Sequence, residues 1–250
     1  MKRLPSTLAL VFLPILAFTE PTLAQIDAQV SFLDSDFSAE YTIVKDSPGE
    51  GQSVTVAAMF RRDKDNRYLI LILQPDADKG KGYLKVDNSL WLWDPVARRY
   101  TVTSARDRFQ NSSARNSDFT RSSMATDYRI TSTSQVKLGK FETTVLELEA
   151  TLDTVVFPLR KIWVSAGDNL VRKMEDYSLS KQLLRTTAIP SYQKVGQRWV
   201  PVSMLIVDEL RGKNVNGQLV KEKTQVTISK PSLGKQPDLL FTQAYLEKAR

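Results

Sequence analysis

The stretch Arg67-Tyr-Leu-Ile-Leu-Ile-Leu-Gln74 decides the fold. Its unbroken apolar run, Tyr68 to Leu73, predicts a strand covered on both faces. A simple antiparallel sheet normally leaves one face wet. One face of this strand is therefore expected to line an apolar interior, and the other to pack on a helix. Immediately upstream, Gln52–Arg62 (QSVTVAAMFRR) reads as a second strand, with Asp63–Asn66 as the hairpin turn between them. Asp63-Lys-Asp65-Asn66 begins like a calcium loop, but Tyr68 stands where the sharp turn of such a loop needs glycine.

Working outward, Phe37–Lys45 has strand composition and Asp46–Gly51 is a loop. Downstream come short strands at Tyr83–Val86, Ser89–Trp93 (SLWLW) and Ala97–Thr103. Turn signals recur every eight to twelve residues, the spacing of a sandwich or barrel. Ser104–Asp127 breaks the pattern. It is polar, rich in Ser, Asn and Arg, and long enough to be a functional lid or a flexible excursion, with helix expected around Asp118–Asp127. Strands resume at Tyr128 and continue over Phe141–Ala150, Val155–Ser165, Leu170–Tyr177, Gln182–Ile189, Trp199–Asp208 and Leu219–Ile228. Pro231–Pro237 reads as a connector, and Asp238–Arg250 as a short helix capped by Asp238. Gln25–Leu33 reads as a short helix or a lead-in. No internal repeat and no domain boundary stand out, so the expected fold class is mainly β: a single strongly curved antiparallel sheet.

The N-terminus has the layout of a removable export signal. Met1-Lys2-Arg3 is basic, Leu8–Phe18 is apolar, and Thr22-Leu23-Ala24 offers a small-x-small cleavage site before Gln25. Pro5, Pro14 and Pro21 argue against a buried helix there. The expected organisation is a signal peptide over 1–24 and a single domain over 25–250, with no integral membrane segment in the mature chain. The full chain carries 35 Lys and Arg against 28 Asp and Glu. Cleavage removes Lys2, Arg3 and Glu20 and leaves a net charge of about +6. That excess suits an anionic surface or an acidic partner, or is simply a solvated basic surface. No basic cluster interleaved with aromatics points to nucleic acid.

The chain has no cysteine and no histidine. Disulfides, Ser-His-Asp and Cys-His sites, and zinc sites built from those ligands are excluded. Ser178-Leu-Ser-Lys181 matches S-x-x-K, but no S-D-N or K-T-G follows. Asn111-Ser-Ser113 is a glycosylation sequon that matters only in a eukaryotic secretory pathway. Glu147 and Glu149 share a strand face and read as solvated. No catalytic residue, metal site or cofactor is expected, and the chain is not expected to be an enzyme.

Aromatic residues and methionines carry the functional signal. Trp91 and Trp93 share one face of their strand, with Leu90 and Leu92 on the other. Phe157, Trp163, Met174, Tyr177 and Met204 fall on later segments. Two readings stay open: ordinary core, or a curved sheet around an apolar cavity. On the second, the lining candidates are Tyr68, Ile70, Ile72, Trp91, Trp93, Phe157, Trp163, Met174 and Met204.

Several segments taken in order sharpen this. They are Gly80-Lys-Gly-Tyr-Leu84 with Asn88-Ser-Leu-Trp-Leu-Trp-Asp-Pro95, then Ser117-Asp-Phe119, then Gln197-Arg-Trp-Val-Pro-Val-Ser-Met204, then Leu240-Phe-Thr-Gln-Ala-Tyr-Leu-Glu247. Together they resemble the outer-membrane lipoprotein-sorting proteins, relatives of the periplasmic lipoprotein carrier LolA, from about Ser53 to Glu247. The resemblance implies an incomplete antiparallel β-barrel with short helices as a lid. It implies a periplasmic location and an apolar cavity sheltering lipid or lipoprotein acyl chains between two membranes, beside an inner-membrane ABC-type exporter. Some relatives are instead envelope-stress sensors, so a sensor or accessory protein that binds a membrane-protein partner is the rival expectation. A cell-envelope hydrolase is a third, with no visible arrangement to support it. The exported protein is expected to begin at Gln25. N-terminal sequencing of periplasmic material checks this, and an uncleaved Met1 start would rule the signal out.

Overall fold

The structure, a computed structural model, describes residues 20–248; most of the expected signal peptide lies outside them. Thirteen strands form one antiparallel sheet. The first meander is β1 (Phe37–Ser47), β2 (Gly51–Arg62), β3 (Arg67–Gln74), β4 (Gly82–Val86), β5 (Ser89–Asp94) and β6 (Arg99–Thr103). The second is β7 (Tyr128–Leu138), β8 (Phe141–Ala150), β9 (Leu159–Ser165), β10 (Val171–Tyr177), β11 (Leu183–Val195), β12 (Arg198–Val215) and β13 (Gln218–Leu233). β1 pairs with β13 and joins the two meanders. β6 and β7 are the free edges, so the sheet is an open half-barrel rather than a closed one.

Local chemistry sets the turns. Asn66 closes the β2–β3 hairpin in the left-handed region (φ 51°) after a 3₁₀ turn over Asp63–Asp65. Asn216-Gly217 joins β12 to β13 with both residues at positive φ, the geometry that Asn-Gly adopts readily. Strand alternation sorts the side chains. On β3, Tyr68, Ile70 and Ile72 join the concave core, while Leu69 and Leu71 face the convex side. Each face has its own cover, which explains the unbroken apolar run.

The concave cover is the segment 104–127, which crosses from edge β6 to edge β7 through the mouth of the half-barrel. It is packed inward, not a loose excursion: Phe109 and Phe119 are buried and meet as a tilted pair with centroids 4.5 Å apart. Phe109 meets Tyr83, and Phe119 meets Tyr41. The helix expected at 118–127 shortens to α2 (Met124–Asp127), with 3₁₀ turns at Phe109–Asn111 and Asn116–Phe119. The polar composition hid this because the polar groups satisfy one another inside.

The convex cover is the C-terminal segment. β13 runs on to Leu233, so Pro231 lies in a strand rather than a connector. The expected helix splits into a 3₁₀ turn, Asp238–Phe241, and a helix, Gln243–Lys248. Asp238 does not cap it; Thr242 Oγ1 accepts from Tyr245 N instead. Leu240, Phe241 and Leu246 pack on Leu69, Leu84 and Trp93. Gly82 permits this approach, since a Cβ there would lie 2.3 Å from Leu246.

Arg62 fastens the segment. Its guanidinium forks onto Asp36 at 2.9 and 2.8 Å, donates to Asp238 at 2.6 Å and to the Gln236 carbonyl at 2.7 Å, and lies 4.7 Å from the Phe241 ring centroid. Burial alone would raise the Asp36 pKa, but the Arg62 bond and the Gln236 N–H hold it below the usual value. Near the other end of the sequence, α1 (Leu23–Val30) is capped by Thr22 in a reciprocal box with Gln25. The cleavage point expected after Ala24 falls within its first turn. Arg62→Ala strands the Asp36 carboxylate and is expected to cost about 3 kcal/mol, read by urea unfolding. It should also make the segment after Lys235 sensitive to limited proteolysis.

Candidate functional site

A belt of charge crosses the concave face. Register puts Arg160 on β9 opposite Asp176 on β10, and Asp176 opposite Arg185 on β11. Arg185 in turn faces Asp208 on β12. Asp176 is fully buried and accepts from Arg160 Nε at 2.7 Å and from Arg185 Nε at 2.9 Å. Arg185 reaches the crossing segment through a fork onto Asp118 at 2.7 and 3.1 Å. Arg108 pairs with Asp208 and, at 3.0 Å, with Glu222 on β13. Ser113 Oγ and Ser47 Oγ donate to Glu222 at 2.9 and 3.1 Å. The crossing segment is thus bolted to the sheet by ion pairs that share buried carboxylates. Burial would raise the Asp176 pKa, but the Arg160 and Arg185 guanidiniums more than offset it and hold the group ionised.

Beyond the belt, toward α1, the interior is not filled. A cavity of about 360 Å³ lies between α1, the segment Ser117–Tyr128, the loop 154–156 and strands β1 and β9 to β13. Its walls include Ile26, Val171, Ile189, Val200, Ile206 and Ile228. Two polar side chains, Asp27 and Arg61, hold its cover. Asp27 on α1 accepts from Ser122 Oγ at 2.5 Å, Met124 N at 3.1 Å and Ala125 N at 2.8 Å, so it serves the start of α2. Arg61 donates to the Val30 carbonyl at 3.2 Å and the Thr120 carbonyl at 3.3 Å, and pairs with Asp63 at 2.6 Å. Asp63 also accepts from Phe32 N at 2.7 Å. Tyr41 lines the cavity, and burial raises its pKa to about 12.

The sequence-derived candidates separate into four places. Met174 and Met204 line the cavity. Tyr68, Ile70 and Ile72 belong to the concave core beneath Phe109 and Phe119, where the crossing segment covers them. Trp91 and Trp93 face the opposite way, onto Leu240 and Leu246. They are core of the convex side rather than cavity wall, because the Leu residues of SLWLW take the inner face. Trp163 also points away from Ile162 and Val164, with Lys173 Nζ 4.4 Å from its ring. Phe157 is buried on a loop beside three guanidiniums, 4.6 Å from that of Arg185. Sequence reasoning missed Arg61, Asp27, Arg160, Asp176 and Thr187. Parity was the available signal, since Asp176 shares a face with Met174, and Arg160 with Ile162.

The model of a family described only as an uncharacterized protein matches residues 64–248. The chain belongs to that family. No curated protein matches it. Solved structures match over nearly the whole fold. A LolA superfamily protein from Nitrosomonas europaea is 21% identical with a TM-score of 0.74, covering 89% of this chain and 96% of that one. A Vibrio parahaemolyticus protein described as an outer membrane lipoprotein-sorting domain is 18% identical, TM-score 0.78, covering 90% and 97%. A DUF1329 family protein from Desulfovibrio piger is 15% identical, TM-score 0.76, covering 90% and 94%. At these identities the likeness is one of fold, and the fold is LolA-like. Among the described residues no helix is long and apolar enough to cross a membrane.

Asp176 has a lowered folded pKa, so its stabilisation is present above the unfolded value of about 3.9 and is lost as pH falls through the folded one. Asp176→Asn is expected to destabilise by about 3–5 kcal/mol at pH 7 by leaving two guanidiniums without their shared carboxylate. In urea titrations across pH, the gap to the parent should narrow below about pH 4.

Proposed function

We propose that this protein is a periplasmic carrier that shelters the acyl chains of a lipid or lipoprotein in the cavity between α1, the crossing segment and strands β9–β13. The observation that carries the reading is an apolar-walled cavity left open in an otherwise packed half-barrel. A lipid tail crossing water exposes apolar surface at about 25 cal/mol per Å², and an apolar cavity removes that cost. Loading and release are exchanges of burial. They need no covalent step, which suits a chain without histidine or cysteine, and the protein is read as no enzyme. The LolA-like fold supports the same reading, with an inner-membrane ABC-type exporter as the donor of cargo and a basic surface suited to anionic membrane faces. The N-terminal basic and apolar stretch supports export to the periplasm.

Native mass spectrometry of protein purified from a bacterial periplasm, with solvent extraction, tests the proposal. A co-purifying phospholipid or acylated peptide is the expected result. A clean apo mass that also refuses added acyl probes overturns it and favours a partner-binding accessory protein. Met204→Glu puts a charge in the cavity wall and is expected to weaken acyl-probe binding about tenfold or more, with the circular dichroism spectrum unchanged.

A further inference from the structure

Two side chains of the cavity lining, Arg160 and Thr187, carry donors with no hydrogen-bond partner among the described residues. Arg160 spends its Nε on Asp176 at 2.7 Å, and its two Nη groups make no hydrogen bond among the described residues. Its side chain is only 15% exposed and lies in the cavity lining. Thr187 is 3% exposed, lines the same cavity, and its Oγ1 is buried without a partner. Register sets Thr187 opposite Met174 and Ile206, one row from the belt toward α1. Buried hydroxyls are almost always paired, because leaving one unpaired is costly. A guanidinium is donor-only, so it asks for an acceptor.

The local charge agrees. Three guanidiniums surround the Phe157 ring: Arg185 at 4.6 Å, Arg115 at 5.4 Å and Arg160 at 5.9 Å. The carboxylates paired with them are Asp118 and Asp176. Arg115 has no ion-pair partner among the described residues, and its guanidinium donates only to the Arg106 carbonyl. Burial, then the Arg185 and Arg108 charges, lower its pKa, and Asp118 and Asp208 offset them only in part.

We propose that the ligand of this cavity is an acyl chain with an anionic, acceptor-only head group, carboxylate or phosphate, which Arg160 and Thr187 hold at the belt end. This rests on the carrier reading and names its ligand class. The chain lies along Leu170, Val171, Met174, Ile189 and Met204. At about 360 Å³ the cavity is near the lower end of small-molecule sites and takes one chain rather than several.

Titration calorimetry on the full exported chain, stripped of lipid, tests this with four ten-carbon probes: decanoate, decanol, decyltrimethylammonium and decanoyl lysophosphatidylglycerol. Decanoate or the lysolipid is expected to bind about tenfold or more tighter than decanol, with the ammonium weakest, as charge-assisted hydrogen bonds require. The tighter of the two identifies a free fatty acid or a lipid head group as the source, and either supports the proposal. Arg160→Gln should abolish the preference. Thr187→Val, which removes an orphan hydroxyl and leaves the fold intact, should cut it severalfold without changing decanol. Equal binding of decanol and both anions overturns the head-group assignment and leaves the carrier standing. An unchanged preference in folded Thr187→Val overturns the role of Thr187. Failure of every probe to bind overturns both readings.

Discussion

The pairing of β1 with β13 holds the rest of the structure in place. It sets Phe37 opposite Leu233 and Asp46 opposite Lys223, tying the first strand to the last across the full sequence. Without it the chain is two separate meanders, each with an exposed edge. With it, one sheet curls far enough that edges β6 and β7 come to bound a common mouth. The chain between those edges must then cross that mouth, because it leaves one edge and re-enters at the other. The position of the 104–127 segment is a consequence of topology before it is one of side-chain chemistry.

Charge decides how deeply that segment sits. Asp118, Arg108 and Ser113 meet Arg185, Asp208 and Glu222 inside the half-barrel, and each of these carboxylates has two or more partners. Such networks contribute little net stability over apolar packing, but they fix geometry, because losing one partner leaves a buried charge. The phenyl rings of Phe109 and Phe119 fill the interior on the β1–β4 side of the belt. On the other side Met124 of the segment packs with Ile26 of α1, and a cavity remains between them and the sheet.

Much of this was legible in the sequence. RYLILILQ lies within its observed boundaries, and its two-faced burial is accounted for by separate covers inside and out. The β1–β6 meander follows its turn residues closely. What escaped depends on pairing at a distance. SLWLW alternates either way round, and only its register beside β4 shows that Leu90 faces in while Trp93 meets the C-terminal segment. The Ser- and Arg-rich stretch 104–127 read as a lid or a flexible excursion, without its inward packing, because its partners, Glu222 and Asp208, lie about a hundred residues away. The same holds for Asp238, whose role was misjudged as a helix cap because Arg62 is remote in sequence.

The seam between β6 and β7 separates two design problems that most barrels must solve together. No strand register passes through residues 104–127, so lengthening or shortening that segment shifts no hydrogen-bonded ladder. Its length and bulk set how much of the interior is filled. Evolution can therefore resize the chamber by insertion and deletion in a single stretch of chain, while the thirteen-stranded frame is inherited unchanged.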